Sequence, residues 1–128
     1  MGMIRVLLAE RDSQLRETIH GAPVGARTIE VVGTAADGNE ALRLVQTSRP
    51  DVAVFMQDLP LLDGVTAAEH LRLLQPDIGV VVIALDEAET IRDRVLQSGA
   101  HHLIHGSTTT DLLAAVCRAA GLSDRKAM

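Results

Sequence analysis

Short apolar runs rich in Val, Ile and Leu recur along this chain, and an amphipathic stretch follows each one. They occupy residues 4–9, 29–32, 52–56, 80–85 and, more weakly, 102–104. A strand with one wet face alternates apolar and polar residues. A run without alternation reads instead as a strand covered on both faces, as in a parallel sheet between two layers of helices. The intervening stretches carry apolar residues at helical spacing: Ala41, Leu42, Leu44 and Val45; Val65, Ala68, Leu71 and Leu74; Leu112, Leu113, Val116 and Cys117. Punctuation agrees. Asp12 or Ser13 is placed to cap a first helix, which Pro23 and Gly25 end early. Asp37-Gly38 and Asp63-Gly64 open the next two, and Arg49-Pro50 and Pro76 close them. A fourth helix spans 88–97, stopped by Ser98-Gly99, and a fifth spans 108–120, stopped by Gly121. Strand and helix thus alternate five times, which predicts an α/β fold, a doubly wound five-stranded parallel sheet with right-handed crossovers.

Length supports a single unit, since 128 residues is the usual size of one domain. Phe55 is the sole aromatic residue, so the core has to be aliphatic. Cys117 has no partner for an internal disulfide; a single thiol and no signal-like start point to the cytoplasm. No apolar run approaches the ~20 residues that span a bilayer, so no membrane contact is expected. A net charge of −5 is the wrong sign for gripping nucleic acid, because phosphate neutralisation needs a basic face.

Open sheets of this type bind ligands beyond the carboxyl ends of their strands, at the switch point of the strand order. The residues there are Glu10-Arg11-Asp12, Met56-Gln57-Asp58, Ala84-Leu85-Asp86 and His105-Gly106. Three further readings are open on the residues alone. Glu10 with Asp12 could hold a cation weakly. Arg11 could instead pair with Glu10 or Asp58. His101 and His105 could share one face of the last strand, but no Cys or carboxylate stands near them in the sequence. Cys117, on an apolar helix face, reads as a buried, inert thiol.

The ordered set IRVLLAE, IEVVGTAADGNEALRLV, RPDVAV, LPLLDG, VVVIA, QSGA and DLLAAV resembles the receiver domains of two-component response regulators. The likeness is strongest to those joined to LuxR/NarL-type DNA-binding domains. It implies a flavodoxin-like (βα)5 fold with strand order 2-1-3-4-5. In that family two acids after the first strand hold Mg²⁺ and an Asp ending the third strand takes a phosphoryl group. A Thr or Ser after the fourth strand and a Lys after the fifth bind the phosphoryl oxygens. Carried over position by position, Glu10 keeps the first acid and Arg11 replaces the second. Met56 stands at the phosphoacceptor position and Ala84 at the hydroxyl position. The Lys position falls on His105 or Gly106, and the only lysine in the chain is Lys126.

The resemblance therefore implies a receiver without the usual chemistry and not an enzyme. The expected pocket is Glu10, Arg11, Asp12, Met56, Asp58, Ala84 and His105. No cofactor is expected; a weak Mg²⁺ site at Glu10 and Asp58 is the most the carboxylates could offer. Asp58 is the candidate for a displaced phosphoacceptor, and a small-molecule sensor is the other alternative. Signalling would run through a homodimer using the fourth helix, fifth strand and fifth helix, or the first and fifth helices. A histidine kinase is a candidate partner, and DNA would be met only through a separate C-terminal helix-turn-helix domain. Residues 1–121 form the expected domain, and 122–128 a tail or the start of a linker.

Overall fold

The computed structural model describes residues 2–11, 14–85, 89–104 and 106–127, with side chains as far as Gly121. Elements follow in the order β1 (Met3–Ala9), α1 (Gln14–Ile19), β2 (Pro23–Val24), β3 (Arg27–Ala35), α2 (Gly38–Ser48), β4 (Val52–Met56), α3 (Gly64–Leu74), β5 (Gly79–Ala84), α4 (Glu89–Gln97), β6 (His101–Ile104) and α5 (Thr109–Ala127). The sheet order is β2-β3-β1-β4-β5-β6. Without β2 this is the expected 2-1-3-4-5, and all its neighbours are parallel.

β2 is the addition. It pairs antiparallel with the start of β3, Pro23 opposite Thr28 and Val24 opposite Arg27. The link is Gly25-Ala26, and Gly25 has φ of 61°, which fits the glycine-led two-residue hairpin turn. The first helix stops at Ile19, ahead of Gly21 with φ of 84°, so Pro23 and Gly25 do not end it but form the hairpin instead. β3 runs beyond the expected Val32 to Ala35. Its register against β1 slips between Val6 opposite Val31 and Leu7 opposite Gly33, so Val32 is an extra residue in the ladder.

Strand side chains alternate between two cores. Leu7, Ala9, Ala53, Phe55, Val80 and Val82 point to the side covered by α2, α3 and α4. Ile4, Val6, Leu8, Val52, Val54, Val81 and Ile83 point to the side covered by α1 and α5. Burial on both faces is what the unbroken apolar runs required. The capping residues also behave as read: Asp37 accepts the Glu40 N–H at 2.8 Å, and Asp63 accepts the Thr66 N–H at 2.9 Å. Arg49 closes α2 in the left-handed region, with φ of 47°. The expected caps Asp12 and Ser13 lie outside the described residues.

α5 differs in two respects. It does not end at Gly121 but continues to Ala127. A glycine inside a helix costs about 1 kcal/mol without stopping it, and no proline follows. Cys117 is exposed, not buried. The inward face is Leu112, Ala115, Val116, Ala119 and Ala120, so position 117 falls outside the stripe although its side chain is apolar.

Candidate functional site

The carboxyl ends of β1, β4, β5 and β6, with the starts of α1 and α5, enclose a cleft of about 650 Å³. Its lining includes Glu10, Arg11, Met56, Asp58, Leu103 and Gly106. Four of the expected pocket residues therefore meet. Ala84 does not line the cleft; it is buried at the end of β5, between lining residues Ile83 and Leu85. Asp12 and His105 lie outside the described residues.

Glu10 is the only buried charged residue among those described, 7% exposed. β1 ends just before it, and the chain turns so that α1 starts over its carboxylate. The two carboxylate oxygens accept the N–H groups of Leu15 at 3.1 Å and Arg16 at 3.3 Å. Glu10 thus serves as a cap for α1, from four residues ahead of the helix. The Glu10–Arg11 pairing allowed above is not found, nor is one to Asp58. Arg11 and Asp58 are both exposed, and neither makes a hydrogen bond or ion pair among the described residues.

Met56 ends β4, half-buried against both cores, and lines the cleft. Its neighbour Gln57 has a part that residue patterns did not reveal. The Gln57 side-chain oxygen accepts the Val65 N–H at 2.8 Å, and its backbone oxygen accepts the Gly64 N–H at 3.2 Å. With Asp63 on Thr66, the first three N–H groups of α3 are all taken. Gly64 is required here, since a Cβ would lie 2.4 Å from the Met56 carbonyl oxygen. α5 is closed in the same way: Asp111 N–H donates to Thr108 Oγ1 at 3.1 Å, and Thr108 N–H donates to the Asp111 carboxylate at 3.3 Å. At the start of α3 all three donors, and at α5 the Asp111 N–H, are thus taken by the protein's own acceptors. A signal for Gln57 existed, because a polar residue directly after a buried strand and a few places before a helix is placed to cap it.

Across the loop from Gln57, Leu62 N–H donates to the Pro60 carbonyl at 2.7 Å, and Leu61 between them has φ of 68°. That is a γ-turn of the rare positive-φ kind. Gly38 fits against it, since a Cβ there would lie 2.1 Å from the Leu62 carbonyl oxygen. On β6, burial first and Arg118 second hold the His101 imidazole below its usual 6.5. Among the described residues, no three His, Cys, Asp or Glu side chains gather as a metal site, and no helix is long and apolar enough to cross a membrane.

Known proteins share this architecture. The chain is 33% identical over 98 residues to the response regulator GacA of Pseudomonas aeruginosa, covering 77% of this chain and 46% of that protein. To the transcriptional regulatory protein NarL of Mycobacterium tuberculosis it is 32% identical over 114 residues, covering 88% and 53%. The chain spans about half the length of these relatives. Among solved structures, the receiver domain of M. tuberculosis NarL superposes with a TM-score of 0.82 at 29% identity, covering 94% of this chain and 98% of that one. The CheX–CheY–BeF₃–Mg²⁺ complex of Borrelia burgdorferi gives 0.79 at 20% identity, covering 90% and 87%. The family model for the response regulator receiver domain matches residues 6–117, and the chain accordingly belongs to that family.

Proposed function

We infer that this receiver domain regulates by protein contact and does not run an aspartyl-phosphate cycle. The observation that carries this is the edge of the sheet itself. Met56 fills the phosphoacceptor position, and a thioether neither takes a phosphoryl group nor suits Mg²⁺, a hard cation that prefers oxygen ligands. The residues around it support the same reading. Glu10 spends its carboxylate on α1, Arg11 is a cation where an acid would hold the metal, and Ala84 offers no hydroxyl. Such a donor set does not suit a bound Mg²⁺. The reading extends to a homodimer through α4, β6 and α5, or through α1 and α5, serving a transcription regulator whose DNA-binding part is a separate domain.

Incubation with acetyl phosphate, or with beryllofluoride and Mg²⁺, tests it. The Borrelia CheY, solved with beryllofluoride and Mg²⁺, is a suitable positive control. Mass and amide spectra of this chain are expected to stay unchanged. A stable adduct would overturn the reading, and its loss in Asp58→Asn would place the phosphoryl group on that displaced carboxylate.

A further inference from the structure

The cleft gives a sharper idea of what the altered edge could receive. Its floor is aliphatic, formed by Met56, Ile83, Leu103 and Leu112. Its polar side carries two opposite charges, Arg11 and Asp58, both exposed and neither engaged with the other or with any described residue. The third charge, Glu10, is buried and accepts two backbone N–H groups. A lone anion entering here would meet Arg11 but also Asp58 and Glu10. A lone cation would meet Arg11. At the start of α5 the Asp111 N–H already has Thr108 Oγ1 as its acceptor, and the Asp111 carboxylate beside it opposes an incoming anion. A ligand bearing both charges on an apolar body suffers neither repulsion. The volume, about 650 Å³, lies within the usual range of small-molecule sites, and Met56 is a side chain that adapts to irregular apolar shapes.

We propose that this cleft binds a small zwitterion with an aliphatic body, an aliphatic α-amino acid, its carboxylate on Arg11 and its ammonium on Asp58. The proposal rests on the reading above in one respect: Asp58 must carry no phosphoryl group. Binding would order the loop after β4 and the start of α1 against each other, and so couple ligand to the contact surfaces.

The test uses the 128-residue chain with L-leucine as probe, followed by amide NMR and calorimetry. N-acetyl-L-leucine lacks the cation and L-leucine methyl ester lacks the anion. Leucine is expected to shift the amides of Arg11, Asp58, Leu103 and Gly106, with both analogues at least roughly tenfold weaker. Arg11→Gln and Asp58→Asn, both surface changes, are each expected to weaken leucine by a similar factor. In Asp58→Asn the acetylated form should lose its disadvantage. Absence of shifts at leucine on the order of 10 mM overturns the proposal. So do shifts confined elsewhere, or leucine binding undiminished in either variant. Acetyl phosphate on the same sample separates the two ideas. An adduct on Asp58 defeats the non-phosphorylating reading. No adduct together with no leucine binding defeats the ligand site alone.

Discussion

Glu10 is a buried acid at the strand-end edge, and its oxygens hold the N–H groups of Leu15 and Arg16. Its carboxylate thus acts as a cap for α1. Removing it leaves two helix-start donors without that acceptor and exposes a cavity beneath α1. Glu10→Ala should therefore cost about 1–2 kcal/mol, read as a lower urea midpoint at unchanged slope. Glu10→Gln keeps an acceptor oxygen and should cost less. An exposed acid such as Asp58 should show almost no loss on conversion to Asn. Residue identity alone disclosed the acid at 10 and the cation at 11. It did not disclose where the carboxylate is aimed, because that depends on how α1 folds back over β1.

Elements were legible wherever one periodicity ran unbroken. The five parallel strands, the starts of α2 and α3 and the end of α3 at Gln75 were all readable from apolar runs and from Asp, Gly and Pro. Two features were not. A two-residue strand such as β2 is too short to carry a period, and only pairing with β3 defines it. The slip at Val32 is equally invisible, because it is a property of two strands and not of one. Element packing gives two predictions. α5 crosses β5 so closely that a Cβ on Gly79 would sit 2.5 Å from the Ala119 carbonyl oxygen. Gly79→Val should thus lower stability by roughly 1–3 kcal/mol and shift amides along α5. α3 and α4 are joined at the surface by Arg94, whose guanidinium donates to both oxygens of Glu69 at 2.7 and 3.2 Å. That bond first, and the Arg94 charge, hold Glu69 below 4.5. A lowered folded value stabilises the protein above 4.5, and the gain is lost as pH falls through the folded value. With both side chains about two-fifths exposed, the gain is under about 1 kcal/mol. Arg94→Met should raise the Glu69 titration midpoint seen by carboxyl NMR, and flatten this part of the acid limb.

At the scale of the molecule, the chain has the receiver scaffold, and the edge beyond its strands presents Glu10, Arg11, Met56 and Asp58. Fold and edge rest on different residues. The strands are held by Leu7, Phe55, Val81 and their neighbours, none of which needs to titrate or bind metal. Restoring one position should then not restore function. Met56→Asp is expected to remain unlabelled by acetyl phosphate in the presence of Mg²⁺, judged by intact mass, because Arg11 and Ala84 stay in place and the only lysine, Lys126, stands near the far end of α5 and not directly after β6. Labelling of that variant would mean that the loss rests on Met56 alone.

The short strand β2 gives the sheet two unlike borders. On one side the outermost strand is two residues long and begins with Pro23, which has no N–H to offer an incoming chain. On the other side β6 has four residues, every one an ordinary donor. Should the domain loosen, strand-by-strand growth into aggregates would have one border to start from, and a proline or lysine placed on β6 would be the economical guard against it.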